Sequence, residues 1–278
     1  MKKTAVNVFL GFVIGVSMLV PGVSGGSIAV LLGIYDDLLC AVSELTKDFR
    51  KNFMLLISVA LGGVLGFFVM AKSFRMLLES AYIQTLYLFL GIIICGVILQ
   101  WKYTVKEFGR VGIPMVLFGV LAVLLLRLLP QELLSFPGAS VFLRFVLFVF
   151  TGLLLGGALI LPGVSFSLML VILGIYDEFV AAVEQLDFRF LFPLALCTLF
   201  GVIVLSKVLH GFLKRSPLQC HSLILGFVLA SLVEVYPGLP PKENGVMCAL
   251  LLILGIVAPM LLDCLFKRKR VVETSDKC

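Results

Sequence analysis

The sequence predicts an all-α polytopic membrane protein made of two inverted repeats, each a broken or re-entrant helical hairpin followed by three transmembrane helices. Three observations predict it. First, 61% of the 278 residues are hydrophobic, 14% are charged and the mean hydropathy is +1.18. A soluble domain of this length could not hide so much apolar surface, so lipid is the natural solvent. Second, Pro21-Gly22-Val23-Ser24-Gly25-Gly26-Ser27 and Pro162-Gly163-Val164-Ser165-Phe166-Ser167 each interrupt a long apolar run, and each leads into Gly-Ile-Tyr-Asp, at 33–36 and 174–177. At a shift of 141, residues 21–36 match 162–177 at ten of sixteen positions, and an internal repeat of this kind dictates the architecture. Third, the basic residues fall in short clusters between apolar segments, the pattern of loops rather than of a nucleic-acid surface.

Residues 1–130 form the first repeat, with a hairpin at 5–40 and spans at 53–71, 85–101 and 111–129; residues 131–278 form the second, with a hairpin at 142–182 and spans at 190–209, 219–236 and 246–266. The hairpin arms 5–20 and 24–40 are each about 24 Å long, short of the roughly 30 Å hydrocarbon core. They are joined only by Pro21-Gly22-Val23, where proline removes a donor and glycine permits a sharp bend. Each arm pair therefore dips into the membrane and returns; two thin, tilted spans would leave the same topology. Met1-Lys2-Lys3 and the apolar run after it have the look of a signal peptide, but the arrangement recurs before Pro162, with Arg144 in the place of Lys3, which makes it part of the repeat.

The repeat continues past the hairpins. At a shift of 135, Lys72 aligns with Lys207, Arg75 with His210, Gln84 with Gln219, Leu88 with Leu223 and Gly91 with Gly226. A hairpin plus three crossings is odd, so the second half is expected upside down relative to the first, an arrangement typical of secondary transporters. With both termini in the cytoplasm, sixteen of the 22 Lys and Arg lie on or near the inside and six lie outside or embedded, in keeping with a multi-pass protein of the bacterial cell (inner) membrane.

The returning arms begin at Ser24 and Ser165. A helix start has N–H groups without internal partners, costly in lipid unless water, protein or ligand meets them. Serine can cap one, and Gly25 and Gly26 let a ligand approach the backbone. Ser24, Gly25, Gly26, Ser27, Ser165 and Ser167 are thus candidates for binding an anion, the alternative being kinked helices capped by their own serines. Lys72, Arg75, Lys207 and His210 are candidate partners for a phosphate, against the plainer reading of snorkelling to headgroups. Arg127 and Arg144 lie within apolar sequence, where an Arg is a functional candidate by default. Asp36, Asp177 and His210 are candidates for proton coupling, against solvated charges at helix ends. Asp37, Glu178, Glu44 and Asp263 are further acidic groups.

Seven cysteines show no C-x-x-C spacing and most sit in apolar runs, so neither a disulfide framework nor a metal site is expected, nor any cofactor. There is no H-E-x-x-H and no P-loop, no His stands near Gly22-Val23-Ser24-Gly25-Gly26 in sequence, and there are only two histidines in all, which argues against an enzyme.

The paired motifs, Pro21 to Ser27 with Leu32-Gly33-Ile34-Tyr35 and Leu161 to Ser165 with Leu173-Gly174-Ile175-Tyr176, resemble those of a bacterial membrane family associated with polyprenyl-phosphate transport (PopT), over essentially the whole chain. The resemblance implies a flippase that returns undecaprenyl phosphate from the outer to the cytoplasmic leaflet for reuse in cell-envelope synthesis, with the polyprenyl phosphate and membrane lipids as partners. The family's second tip reads Pro-Gly-x-Ser-Gly-Ser, and Phe166 stands here in place of that Gly. The residues by themselves leave two other readings: a secondary transporter of a small soluble anion, and a membrane enzyme acting on lipid phosphates. Oligomeric state is open.

Overall fold

A computed structural model describes residues 2–20, 22–104, 112–128 and 141–270, and all regular structure among them is helical. The chain runs through α1 (Lys2–Ser17), α2 (Gly25–Leu31), α3 (Tyr35–Ser43), α4 (Phe49–Thr104), α5 (Gly112–Leu128), α6 (Val141–Ile160), α7 (Phe166–Leu173), α8 (Tyr176–Glu184), α9 (Phe188–Arg215), α10 (Pro217–Val235), a 3-10 turn at Lys242–Asn244 and α11 (Gly245–Arg270).

Both tips have the same backbone conformation. Gly22 and Gly163 take positive φ (81° and 79°), and Ser24 and Ser165 are extended before α2 and α7 (φ −87° and −82°). Past the tips the structure departs from expectation: the returning arms 24–40 and 165–182 are not continuous helices. Each breaks at its second shared glycine, Gly33 or Gly174, with φ of 65° and 74°, and turns by 117° into α3 or α8. The break is a Schellman motif in both copies. Ile34 N–H donates to Ala29 O and Gly33 N–H to Val30 O; Ile175 N–H donates to Leu170 O and Gly174 N–H to Val171 O.

Between the expected spans 53–71 and 85–101, residues 72–84 are helical apart from a kink at Ala81. Residues 72–84 hold no Pro or Gly to stop a helix, and α4 is interrupted only in dihedral terms at Ala81 (φ −143°, ψ 48°). The apolar stretch Phe49–Trp101 has 53 residues, roughly 80 Å of helix against a hydrocarbon core of about 30 Å, far more than one crossing needs. With Phe188–Arg215 and Pro217–Val235, this stretch makes three helices long and apolar enough to span, or up to five spans if each bent pair counts as one; α1, α5, α6 and α11 are apolar but shorter in the searched residues.

Helix pairing depends on small residues, as expected where lipid tails give side chains no hydrophobic drive to associate. Gly11 and Gly15 of α1 face the Val59 and Gly63 carbonyls of α4, where an added Cβ would lie 2.1 and 2.0 Å from them. In the second half, Gly152 and Gly156 of α6 press in the same way on Cys197 to Val202 of α9. The other two close pairs join the halves: Gly91 of α4 meets Leu252 and Gly255 of α11, and Gly226 of α10 meets Val116 and Gly119 of α5. The first hairpin packs with α4 and α10 around Val20, Ile28, Leu39, Ile93 and Ile224; the second packs with α5 and α10 around Val123, Leu155, Leu170 and Phe227. The outward surfaces carry exposed Phe68, Leu128, Phe188 and Val246, as a lipid-facing exterior does.

The tips and the polar cluster at the first hairpin's foot

The two tips touch. The Gly163 N–H donates to Oγ of Ser27 at 2.9 Å, and Gly26 lies so close that an added Cβ would sit 3.3 Å from Ile160 O and from Pro162. Tyr35 seals the contact by donating its hydroxyl hydrogen to Ile160 O at 3.1 Å. The tips lie side by side, not end to end. Gly163 abuts Phe227 O, whereas Gly22 abuts Glu234, and these two residues are seven positions apart on α10, an offset of roughly 10 Å. Pro21 lies outside the described residues.

The serines are placed as the sequence suggested but do not act as caps. Ser24 and Ser165 are both buried, and neither side chain bonds its own helix start. Ser165 Oγ instead pairs with Ser167 Oγ at 2.8 Å, and Ser167 is exposed. Gly25 opens α2 against Ile14 and Met18. Phe166 stacks edge-on against Phe179 of α8, closing the space a glycine would leave. With only seven and eight residues, α2 and α7 carry small dipoles, so what the tips offer an anion is hydroxyls and individual N–H groups.

The cations are not gathered at the tips. Lys72 and Lys207 are exposed on α4 and α9, and Arg75 donates from Nε to Oε1 of Glu79 on its own helix at 2.9 Å. None of the three hydrogen-bonds a tip residue among the described residues. The side chains of Arg127 and Arg144 lie outside the described residues. Asp177 is exposed.

His210 stands apart from these cations, against the foot of the first hairpin. It is buried on α9 with Nε2 3.4 Å from Oε1 of Glu44, which follows α3. The same oxygen accepts from Lys214 at 2.7 Å and from Lys47 at 2.9 Å. Hydrogen bonds from Lys214 and then Lys47 hold the Glu44 carboxyl at about 2, well below the usual carboxylate range, with His210 adding to the effect and partial desolvation opposing it. Beside this cluster, His221 of α10 stands 3.8 Å from Asp36 and shares a 3.2 Å hydrogen bond with Gln100 of α4. Sequence reasoning noted Glu44 and His210 but not that they meet: His210 and Lys214 come from the other half of the chain and have no local spacing signal, whereas Lys47 stands three residues from Glu44. It also missed Glu234 beside the first tip, although a lone carboxylate within a predicted span was signal enough.

Comparison with known proteins finds relatives along most of the chain. A "Polyprenyl-phosphate transporter" of Staphylococcus aureus is 32% identical over 269 residues, covering 91% of this chain and 92% of that protein. A "Polyprenyl-phosphate transporter" of Vibrio cholerae is 26% identical over 248 residues, covering 82% of this chain and 76% of that protein. No solved structure matches significantly. The profile of a family described as VCA0040-like, undecaprenyl phosphate translocase-like, matches residues 14–245, and the chain belongs to that family.

Proposed function

We propose that this protein carries undecaprenyl phosphate, or a related polyprenyl phosphate, from the outer to the cytoplasmic leaflet by alternating access between two inverted repeats, with both termini in the cytoplasm. The observation that carries the reading is the meeting of the two tips through Gly163 and Ser27. A head group at that junction has hydroxyls of Ser24, Ser165 and Ser167 and backbone N–H groups within one small region. Only the head group needs a polar path, since a bare charge is very costly in hydrocarbon while the isoprenoid tail is at home there. Beside the second tip lies an apolar cavity of about 250 Å³ lined by Ile160, Leu161, Leu205, Phe212 and Leu223 among others, which suits a tail kept in contact with lipid. Asp36 and His210 remain the proposed proton-coupling groups, both at the foot of the first hairpin; Asp177 is their proposed counterpart at the foot of the second.

The test is leaflet-resolved uptake of a short-chain polyprenyl phosphate in vesicles containing the purified protein. Ser24→Ala with Ser165→Ala removes two hydroxyls that would bind a charged group, and uptake is expected to fall about ten-fold or more while the protein keeps a cooperative thermal unfolding. Undiminished uptake in that folded variant would take the tips out of the mechanism.

A further inference from the structure

We propose that Glu44 is a gate-positioning residue: its carboxylate latches α3 of the first half to α9 of the second and must let go before a head group held at the tips can leave by that face. This deepens the transport reading and rests on it.

The latch joins elements far apart in sequence. Oε1 of Glu44 takes Lys214 at 2.7 Å and His210 at 3.4 Å from α9, with Lys47 at 2.9 Å from its own side. Its counterpart on the other face cannot form. At the repeat shifts, Glu44 corresponds to Gln185, Lys214 to Glu79 and His210 to Arg75. Arg75 and Glu79 are satisfied by each other on one helix, and both are exposed. The packing follows the chemistry, since α3 lies closely on α9 whereas α8 has no comparable packing on α4. Tyr35, in the Gly-Ile-Tyr-Asp stretch of the first hairpin, is 7% exposed and bonded to Ile160 O, while its counterpart Tyr176 is 42% exposed. The molecule is therefore closed at the face that carries Glu44, and among the described residues an ionic latch between the halves is seen only there.

The closed arrangement also holds an uncompensated group. Nδ1 of His210 is buried without a hydrogen-bond partner among the described residues, a penalty that hydration on opening would relieve. The latch is thus built to be released. Donor atoms of Cys40, Glu44 and His210 lie within 4.8 Å of one another, a spacing a metal ion could bridge. The carboxylate oxygen of that group already faces two ammonium groups, however, so a divalent cation would enter against two positive charges.

The experiment uses the full chain in vesicles with its cysteines other than Cys220 changed to Ala. Cys220 is wholly buried, in the same apolar cluster as Tyr35 and Leu209, so a membrane-impermeant maleimide reads opening of this face. Glu44→Gln and Lys214→Glu are each expected to speed labelling about three- to ten-fold, and the exchanged pair Glu44→Lys with Lys214→Glu to return it to near the parent rate. Single variants that label at the parent rate, or an exchanged pair no slower than the singles, would overturn the latch. In a second arm, Glu44→Cys with Lys214→Cys in a background lacking the other cysteines is bridged by a short disulfide-containing bis-maleimide. Uptake of polyprenyl phosphate is expected to stop and to resume on reduction; uptake at the parent rate with the bridge intact overturns the proposal. If the parent moves no polyprenyl phosphate while labelling still follows the charge pattern, the cargo assignment has failed and the latch has not.

Discussion

Gly163 shows how little room the tips leave. Its φ of 79° is a conformation that an L side chain adopts only with strain, and an added Cβ would stand 2.0 Å from the Phe227 carbonyl oxygen, a rigid backbone atom. Gly238 shares the strain (φ 90°) but has nothing within 4 Å. Gly238→Ala is therefore expected to cost about 1–2 kcal/mol from backbone strain alone, and Gly163→Ala clearly more, because two backbones must part. Thermal unfolding in detergent checks the order; equal losses would mean that the second tip does not pack as described. Glu44 makes a residue-scale prediction with a definite sign. Its carboxyl is held at about 2 in the folded protein, below the ordinary 4.5, so its stabilisation is fully present above the ordinary value and is lost as pH falls through the folded one. The difference in Tm between the parent and Glu44→Gln should stay constant from about pH 8 to about pH 5 and shrink only as pH is lowered toward about 2. A difference that vanishes near neutrality would mean that the Glu44 carboxylate does not hold the latch.

At the scale of elements, the sequence was most legible where it repeats. Helix ends at 112–128, 141–160, 217–235 and 245–270 fall within a few residues of the apolar runs, and both tips sit at their Pro-Gly breaks. Two things were less legible, for different reasons. The glycines at 33 and 174 were visible as shared letters, but their role as left-handed helix stops competed with an apolar pattern continuing through them; a Gly directly after an apolar helix is itself a stop signal. Residues 72–84, between the apolar runs 53–71 and 85–101, carry Lys, Arg and Glu together with the good helix formers Met and Leu, so charge marks the end of the apolar run and not the end of helix. The small-residue ridges of α1, α4 and α6 were present as Gly11/Gly15, Gly62/Gly66 and Gly152/Gly156, each with a spacing of four. Which ridge meets which cannot be read from spacing. The pairing of α4 with α11 and of α5 with α10, which ties the two halves together, needed coordinates.

The whole molecule is two similar halves in dissimilar surroundings, and that inequality is what a transport cycle would exchange. In the closed face, Tyr35 reaches across to the carbonyl of Ile160, two residues before Pro162. At the shift of 141, the same reach from Tyr176 would end at Leu19, two residues before Pro21, a bond not made here because Tyr176 is exposed. If the proposed halves trade conformations, Tyr176 makes that bond when the opposite face closes and Tyr35 loses its own. The two hydroxyls then have separable effects. Tyr35→Phe removes a hydrogen bond from the arrangement seen here and should lower its stability by about 1 kcal/mol, with faster labelling of Cys220. Tyr176→Phe removes nothing from this arrangement, so unfolding and labelling should match the parent. It should nevertheless slow uptake several-fold, because the bond it deletes belongs to the state visited during turnover. Unfolding temperatures, Cys220 labelling and single-turnover uptake on the same two variants separate the cases. Uptake by Tyr176→Phe at the parent rate would mean that the second hairpin never takes the place the first one holds, and an exchange of conformations between the halves would have to be given up in favour of a cycle in which only the first hairpin moves.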